Sequence, residues 1–220
     1  MGIRIEGVYA VTPDSDDSAE LVRKARAVLA GGVRLLQYRN KSSVPARRVE
    51  QAAMLAALCR EWEARLVFND DPALAALCGA DGVHLGMHDA SIGAARRVLG
   101  PERIIGVSCY ASLSRALQAQ STGADYVAFG SFFPSTTKAG APPAPLSLLP
   151  QARALIRLPI VAIGGITAEN AAVVVEAGAD AVAVVNGLFG AADIESAARR
   201  LREVVAQAAR ARDARTESTR

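Results

Sequence analysis

Aromatic residues are scarce in this sequence, at 5% of 220, although 51% of the residues are hydrophobic. A core so short of rings must be built from Ala, Val, Leu and Ile, which suits α/β layers with buried parallel strands. Cysteine is almost absent. Cys59, Cys78 and Cys109 are odd in number and lack metal-ligand spacing, which points to reduced thiols in a cytoplasmic protein. No apolar run reaches the roughly 18 residues of a membrane span. The opening MGIRIEGVYAV enters a strand pattern without the apolar stretch of a signal peptide. Lysine is as rare as cysteine: Lys24, Lys41 and Lys138 stand against 22 arginines.

A concentrated basic face is also missing. The formal net charge is +3, but residues 198–220 hold seven Arg against Glu203, Asp213 and Glu217, leaving the body at −1. The excess is a helix end and tail without interleaved aromatics, so nucleic acid and membrane are both excluded as partners, while a homo-oligomer stays open. A chain of this length can bury one full core. No linker divides it, so residues 1–211 are read as one domain and residues 212–220 as a tail that frays or is disordered.

What is present is a regular alternation. Short apolar runs at 7–11, 33–38, 66–68, 81–85, 104–107, 126–129, 160–163 and 181–185 are each followed by a helical pattern. Helices are expected over 44–60, 72–77, 91–99 and 194–209, with Thr167 as the N-cap of the one before the last strand. Eight such units favour a single-domain (β/α)8 TIM barrel over an open doubly wound sheet. Gly-Ala-Asp recurs at 79–81, 123–125 and 178–180 and is read as punctuation, with glycine ending each helix.

In such a barrel, reactive groups gather at the C-terminal ends of the strands. The second strand ends in Gln37-Tyr38-Arg39-Asn40-Lys41, where alternation puts Gln37, Arg39 and Lys41 on one face. An amide and two cations there suit a multiply charged anion such as a diphosphate. Asn69, Asp70 and Asp71 end the third strand, and Asp71 before Pro72 has the form of an N-cap. Asp89 follows the fourth; it could cap the next helix, or share Mg²⁺ with Asp70, since one or two carboxylates plus phosphate oxygens commonly hold that ion. Ser108 ends the fifth strand.

The sixth strand opens into Gly130-Ser-Phe-Phe-Pro-Ser-Thr-Thr-Lys138, where three hydroxyls precede an ammonium, a good set for phosphate oxygens. Gly164-Gly165 and Val185-Asn186 end strands seven and eight, the usual phosphate cradle of this fold. Two anion sites in one mouth imply two small phosphorylated substrates. His84 is balanced between a core imidazole and a catalytic one, and Cys109 is read as packing.

The segments LQYRNK (36–41), VFNDD (67–71), GADGVHLGMHD (79–89), IIGVSCY (104–110), GADYVAFGSFFPSTTK (123–138) and PIVAIGGITAEN (159–170) resemble those of the thiamine-phosphate synthase family. The resemblance implies joining a hydroxymethylpyrimidine diphosphate to a thiazole phosphate, with release of pyrophosphate, through a pyrimidine cation. It implies that Gln37, Arg39, Lys41, Asn69, Ser108 and Lys138, with the intervening Tyr38 and Asn40, hold the pyrimidine diphosphate. Ser135, Thr136, Thr137, Gly165, Val185 and Asn186 would hold the thiazole phosphate, and Asp70 and Asp89 the Mg²⁺. Catalysis would fall to Arg39, Lys41, Ser108 and Lys138. Met87, Ser131, Ser135 and Asn186 stand where this family usually has Gln, Pro, Thr and Ser. A related thiazole tautomerase, a non-catalytic ligand-binding barrel and a phosphate-binding barrel of tryptophan synthesis are the rivals. The tautomerase needs no diphosphate site, and the last needs no carboxylate pair.

Overall fold

The computed structural model describes residues 5–41, 43–134 and 143–217. The chain runs β1 Gly7–Val11, α1 Ser18–Ala30, β2 Leu35–Tyr38, α2 Pro45–Glu61, β3 Arg65–Asn69, α3 Pro72–Leu77, β4 Gly82–Leu85, α4 Ile92–Leu99 and β5 Ile104–Tyr110. It continues through α5 Leu113–Ser121, β6 Tyr126–Gly130, α6 Leu148–Leu155, β7 Ile160–Ile163, α7 Ala171–Glu176, β8 Ala181–Val184, α8 Asn186–Phe189 and α9 Ile194–Glu217. The strands close into one barrel in chain order, with β1 parallel to both β2 and β8. The (β/α)8 barrel expected from the alternation is the fold.

Strand alternation sorts the core into two layers. Tyr9, Val11, Leu35, Val67, Ile104, Tyr126 and Val161 fill the barrel. Val8, Ala10, Leu36, Tyr38, Leu66 and Phe68 point outward into the layer shared with the helices. With few rings available, two tyrosines carry much of the interior volume; Tyr9 and Tyr126 meet edge to face at 6.0 Å and 77°. Gly106 is glycine for that reason: a Cβ there would collide with the Tyr126 ring.

The Gly-Ala-Asp repeats are clasps. Asp81, Asp125 and Asp180 each precede a strand and grip the strand before it twice. Their N–H groups donate to the carbonyls of Leu66, Ile105 and Ile160 at 2.7–2.8 Å. Their carboxylates accept the N–H groups of the same three residues, at 2.8, 2.7 and 2.7 Å. Arg65, Arg96 and Arg153 cover the three carboxylates. The cap residues are Cys78, Thr122 and Ala177, so each glycine sits one position past its cap.

Apart from shifts of one or two residues at element ends, four features differ from expectation. β5 continues to Tyr110, through an irregularity between Ser108 and Tyr110, so Ser108 lies inside the strand. Thr167 is not the cap of α7: Asn170 takes that place, and its side-chain oxygen accepts the Thr167 N–H at 2.9 Å. A one-turn helix, α8, starts directly after β8. The tail expected to fray from Arg212 is helical to Glu217. Arg212 donates to the Ala179 carbonyl at 2.8 Å, and Arg215 pairs with Glu176 at 3.1 Å, so α9 is fastened to α7 and the turn after it.

Candidate active site

The cationic side is built by β1 and β2 together. The Thr12 hydroxyl, fully buried just past β1, donates to the Arg39 carbonyl at 2.8 Å and accepts the Arg39 N–H at 2.8 Å. Asp14 Oδ1 accepts from Arg39 Nη1 at 2.9 Å and from the Lys41 N–H at 2.7 Å. The extended chain past β2 is therefore clamped with Gln37 and Arg39 facing the cavity. Tyr38 and Asn40 face away. Both bind Gln51 Oε1 of α2, at 2.9 Å each, and Asn40 also reaches Ser43 Oγ at 2.8 Å. Tyr38 and Asn40 line an adjoining cavity together with Lys41, Asn69 and Asp70, so the predicted set is divided between two cavities, and Lys41 is not in the one that Gln37 and Arg39 line. The same alternation that grouped Gln37 with Arg39 separates Tyr38 and Asn40 from them.

Lys41 Nζ lies 3.1 Å from Asp70 Oδ2. Asp70 is held at φ 66°, in the left-handed region, with its N–H donating to the His84 carbonyl at 2.8 Å. Asp89 is not a helix cap, because Ser91 Oγ caps α4; its Oδ2 instead accepts the Gly86 N–H at 2.6 Å. Asp71 does cap α3 as expected, accepting the Leu74 N–H at 2.9 Å. The Asp70 and Asp89 carboxyls are close enough to influence each other's ionisation. Burial, then the Asp70 carboxylate beside it, raises Asp89 above the usual range. Burial opposes ionisation of Asp70 too, but the Asp89 carboxyl and the Lys41 ammonium outweigh it and hold Asp70 low. Two adjacent carboxylates, one of them raised by burial and the other's charge, are an oxygen-donor set that a hard divalent cation fits. Among the described residues, no cluster of three or more His, Cys, Asp or Glu could hold a metal.

The mouth opens into a cavity of about 320 Å³, lined by Gln37, Arg39, Asn69 and Ser108 on one side and Gly165, Val185 and Asn186 on the other. Asn69 is shared with an adjoining cavity of about 290 Å³ that holds Lys41 and Asp70. The far wall depends on two glycines. Gly165 sits at φ 63°, and side chains on Gly164 or Gly165 would collide with Ser131 and with Phe133–Pro134. The N–H groups of Phe132 and Phe133 donate to the carbonyls of Ile163 at 3.2 Å and Gly164 at 3.0 Å, tying the end of β6 onto this turn. Ser131 Oγ donates to the Phe133 carbonyl at 2.9 Å, a turn-holding contact at a position where a proline would have no hydroxyl. Ser135, Thr136, Thr137 and Lys138 lie outside the described residues.

His84 lines the cavity and links Tyr126 Oη and Ser108 Oγ at 2.8 Å each. Sequence reasoning missed Thr12, Asp14, Tyr9 and Tyr126. Strand alternation could have placed Tyr9 inside the barrel, but nothing local marks Asp14.

A family model described as thiamine monophosphate synthase matches residues 8–188. The chain belongs to the thiamine monophosphate synthase family. Family relatives named thiamine-phosphate synthase include one from Methylobacillus flagellatus, 55% identical over 91% of this chain and 95% of the relative. Another, from Thiobacillus denitrificans, is 54% identical over the same shares. Among solved structures, thiamine phosphate pyrophosphorylase from Pyrococcus furiosus superposes with a TM-score of 0.82 at 34% identity, over 92% of this chain and 96% of that one. The activity that this membership carries is thiamine-phosphate synthase, a transferase of thiamine biosynthesis. No helix among the described residues is long and apolar enough to cross a membrane.

Proposed function

We propose that the chain transfers a hydroxymethylpyrimidine group from its diphosphate to the ring nitrogen of a thiazole phosphate, releasing pyrophosphate, in a Mg²⁺-dependent reaction. The observation that carries this reading is the Asp89–Asp70–Lys41 cluster beside Arg39. It places two carboxylates and two cations next to a cavity sized for a small ring.

Breaking the carbon–oxygen bond to the diphosphate leaves negative charge on the departing oxygens and positive charge on the pyrimidine methylene. Arg39, Lys41 and Lys138 would stabilise the departing charge, a preorganised electrostatic contribution rather than acid–base work. Asp70 and Asp89 would hold Mg²⁺, which supplies Lewis-acid neutralisation of phosphate oxygens when bound. Gln37, Asn69 and Ser108 would orient the pyrimidine, and the cavity's apolar lining would keep water from the cation. Gly165, Val185 and Asn186, with Ser135, Thr136 and Thr137, would hold the thiazole phosphate through backbone N–H and hydroxyl donors.

The test mixes purified protein, both substrates and Mg²⁺, and converts product to fluorescent thiochrome. Thiamine phosphate should accumulate; its absence with folded protein and competent substrates would sink the proposal.

A further inference from the structure

We propose that the polar floor of the cavity is directional, with His84 protonated at Nε2 and Ser108 presented as a hydrogen-bond donor to substrate. Tyr9, Tyr126 and His84 are the positioning residues. The substrate half of this inference rests on the proposed synthase reading; the tautomer half does not.

Five groups form one chain. Gln37 Nε2 donates to Tyr9 Oη at 2.9 Å; Tyr9 Oη meets Tyr126 Oη at 3.0 Å. Tyr126 Oη meets His84 Nδ1 at 2.8 Å, and His84 Nε2 meets Ser108 Oγ at 2.8 Å. Both phenols are within 1% of complete burial, and that burial pushes each above its ordinary pKa, so each keeps its hydrogen. A phenol has one hydrogen to give. Tyr9 Oη has two polar partners among the described residues, Gln37 and Tyr126. Having accepted from the amide, Tyr9 gives its hydrogen to Tyr126, because the alternative is an unpaired buried donor. Tyr126 in turn gives to Nδ1, which must be bare, so the imidazole proton sits on Nε2 and goes to Ser108 Oγ. The Ser108 hydrogen is then left for the cavity that Ser108 lines.

The Gln37 amide sets the direction. Gln37 precedes Arg39 by two residues on the same strand face, and both line the cavity. The amide oxygen is favoured on the side of the guanidinium, and the amide nitrogen is favoured inward. The His84 ring is further held by stacking on Tyr126, at 5.5 Å and 22°. Ser108 therefore offers its hydrogen to an acceptor on the substrate, a ring-nitrogen lone pair, a carbonyl-like oxygen or a phosphate oxygen.

The chain has two histidines, so His88→Asn leaves one imidazole to observe. A two-bond proton–nitrogen spectrum of this variant, histidine-labelled, ligand-free and near neutral pH, should show Nε2 protonated and Nδ1 bare. Protonation at Nδ1 alone means that the amide is turned and every link runs backward, which overturns the proposal, as does an imidazolium. Adding Tyr126→Phe should mix the two tautomers and raise KM for the pyrimidine diphosphate about tenfold, with a smaller change in kcat. An unmixed tautomer and unchanged KM in that variant would remove the relay. Should it fail to fold, the His88→Asn spectrum decides alone. Because the spectrum needs no substrate, failure of the synthase reading would leave the tautomer result standing, and the reverse.

Discussion

Asp14 Oδ1 lies 2.9 Å from Arg39 Nη1, and the same oxygen receives the Lys41 N–H at 2.7 Å. One acidic residue from the β1–α1 loop thus aims one proposed diphosphate-binding cation and pins the backbone of the other. Asp14→Ala should raise KM for the pyrimidine diphosphate by about tenfold, the loss of hydrogen bonds to charged or clamped partners. Asp14→Asn keeps an acceptor oxygen and should lose less. Steady-state kinetics on both variants checks this; equal effects would show that charge, not positioning, is what Asp14 supplies.

Lys138 is the third proposed charge-stabilising cation. Lys138→Ala should slow turnover by the equivalent of about 3–4 kcal/mol, the usual cost of removing one preorganised donor to developing charge. Unchanged turnover at saturating substrates would take Lys138 out of its role.

The thiols offer a check on the core. Burial pushes Cys59 up to about 12 and Cys109 to about 11, and it raises the partly exposed Cys78 less. All three are protonated thiols near neutral pH, with Cys78 the accessible one. A disulfide reagent at about pH 8 should titrate Cys78 alone in the folded protein and all three thiols in denaturant. Rapid reaction of three thiols without denaturant would contradict the packing.

The end of α9 carries structure rather than a loose basic tail. Arg212→Ala should lower stability by about 1–2 kcal/mol, for the hydrogen bonds lost to buried carbonyls. Urea denaturation reads it, and an unchanged midpoint would mean that the helix end frays in solution.

Much of this was legible in the sequence because barrel strands are short and uniformly apolar and the punctuation is regular. The period-two rule joined Gln37 to Arg39, and the Asp71-Pro72 cap freed Asp70 for another task. Three kinds of information were not local. The Arg212 contacts come from packing against α7, which composition does not report, so a basic, polar stretch reads as a tail. The Asp14 clamp joins residues 25 and 27 positions apart across a loop without a motif. The internal chain from Gln37 to Ser108 requires barrel closure, which brings Tyr9 of β1 against Tyr126 of β6, 117 positions away. Tyr38 and Asn40 are a different case. Alternation puts them on the face opposite Gln37 and Arg39, where they line the adjoining cavity with Lys41 and Asp70.

Two adjacent carboxylates, one of them paired with an ammonium, are the centre of the proposed chemistry. The most direct measurement follows thiamine phosphate and pyrophosphate together during turnover, first with Mg²⁺, then with EDTA, then with Mg²⁺ restored. The two products should appear in equal amounts, stop with the chelator and resume with the ion, and the Mg²⁺ requirement should weaken or shift in Asp70→Ala. Turnover indifferent to EDTA, or an Asp70→Ala magnesium titration identical to that of the unmutated protein, would contradict the metal-assisted departure of the diphosphate.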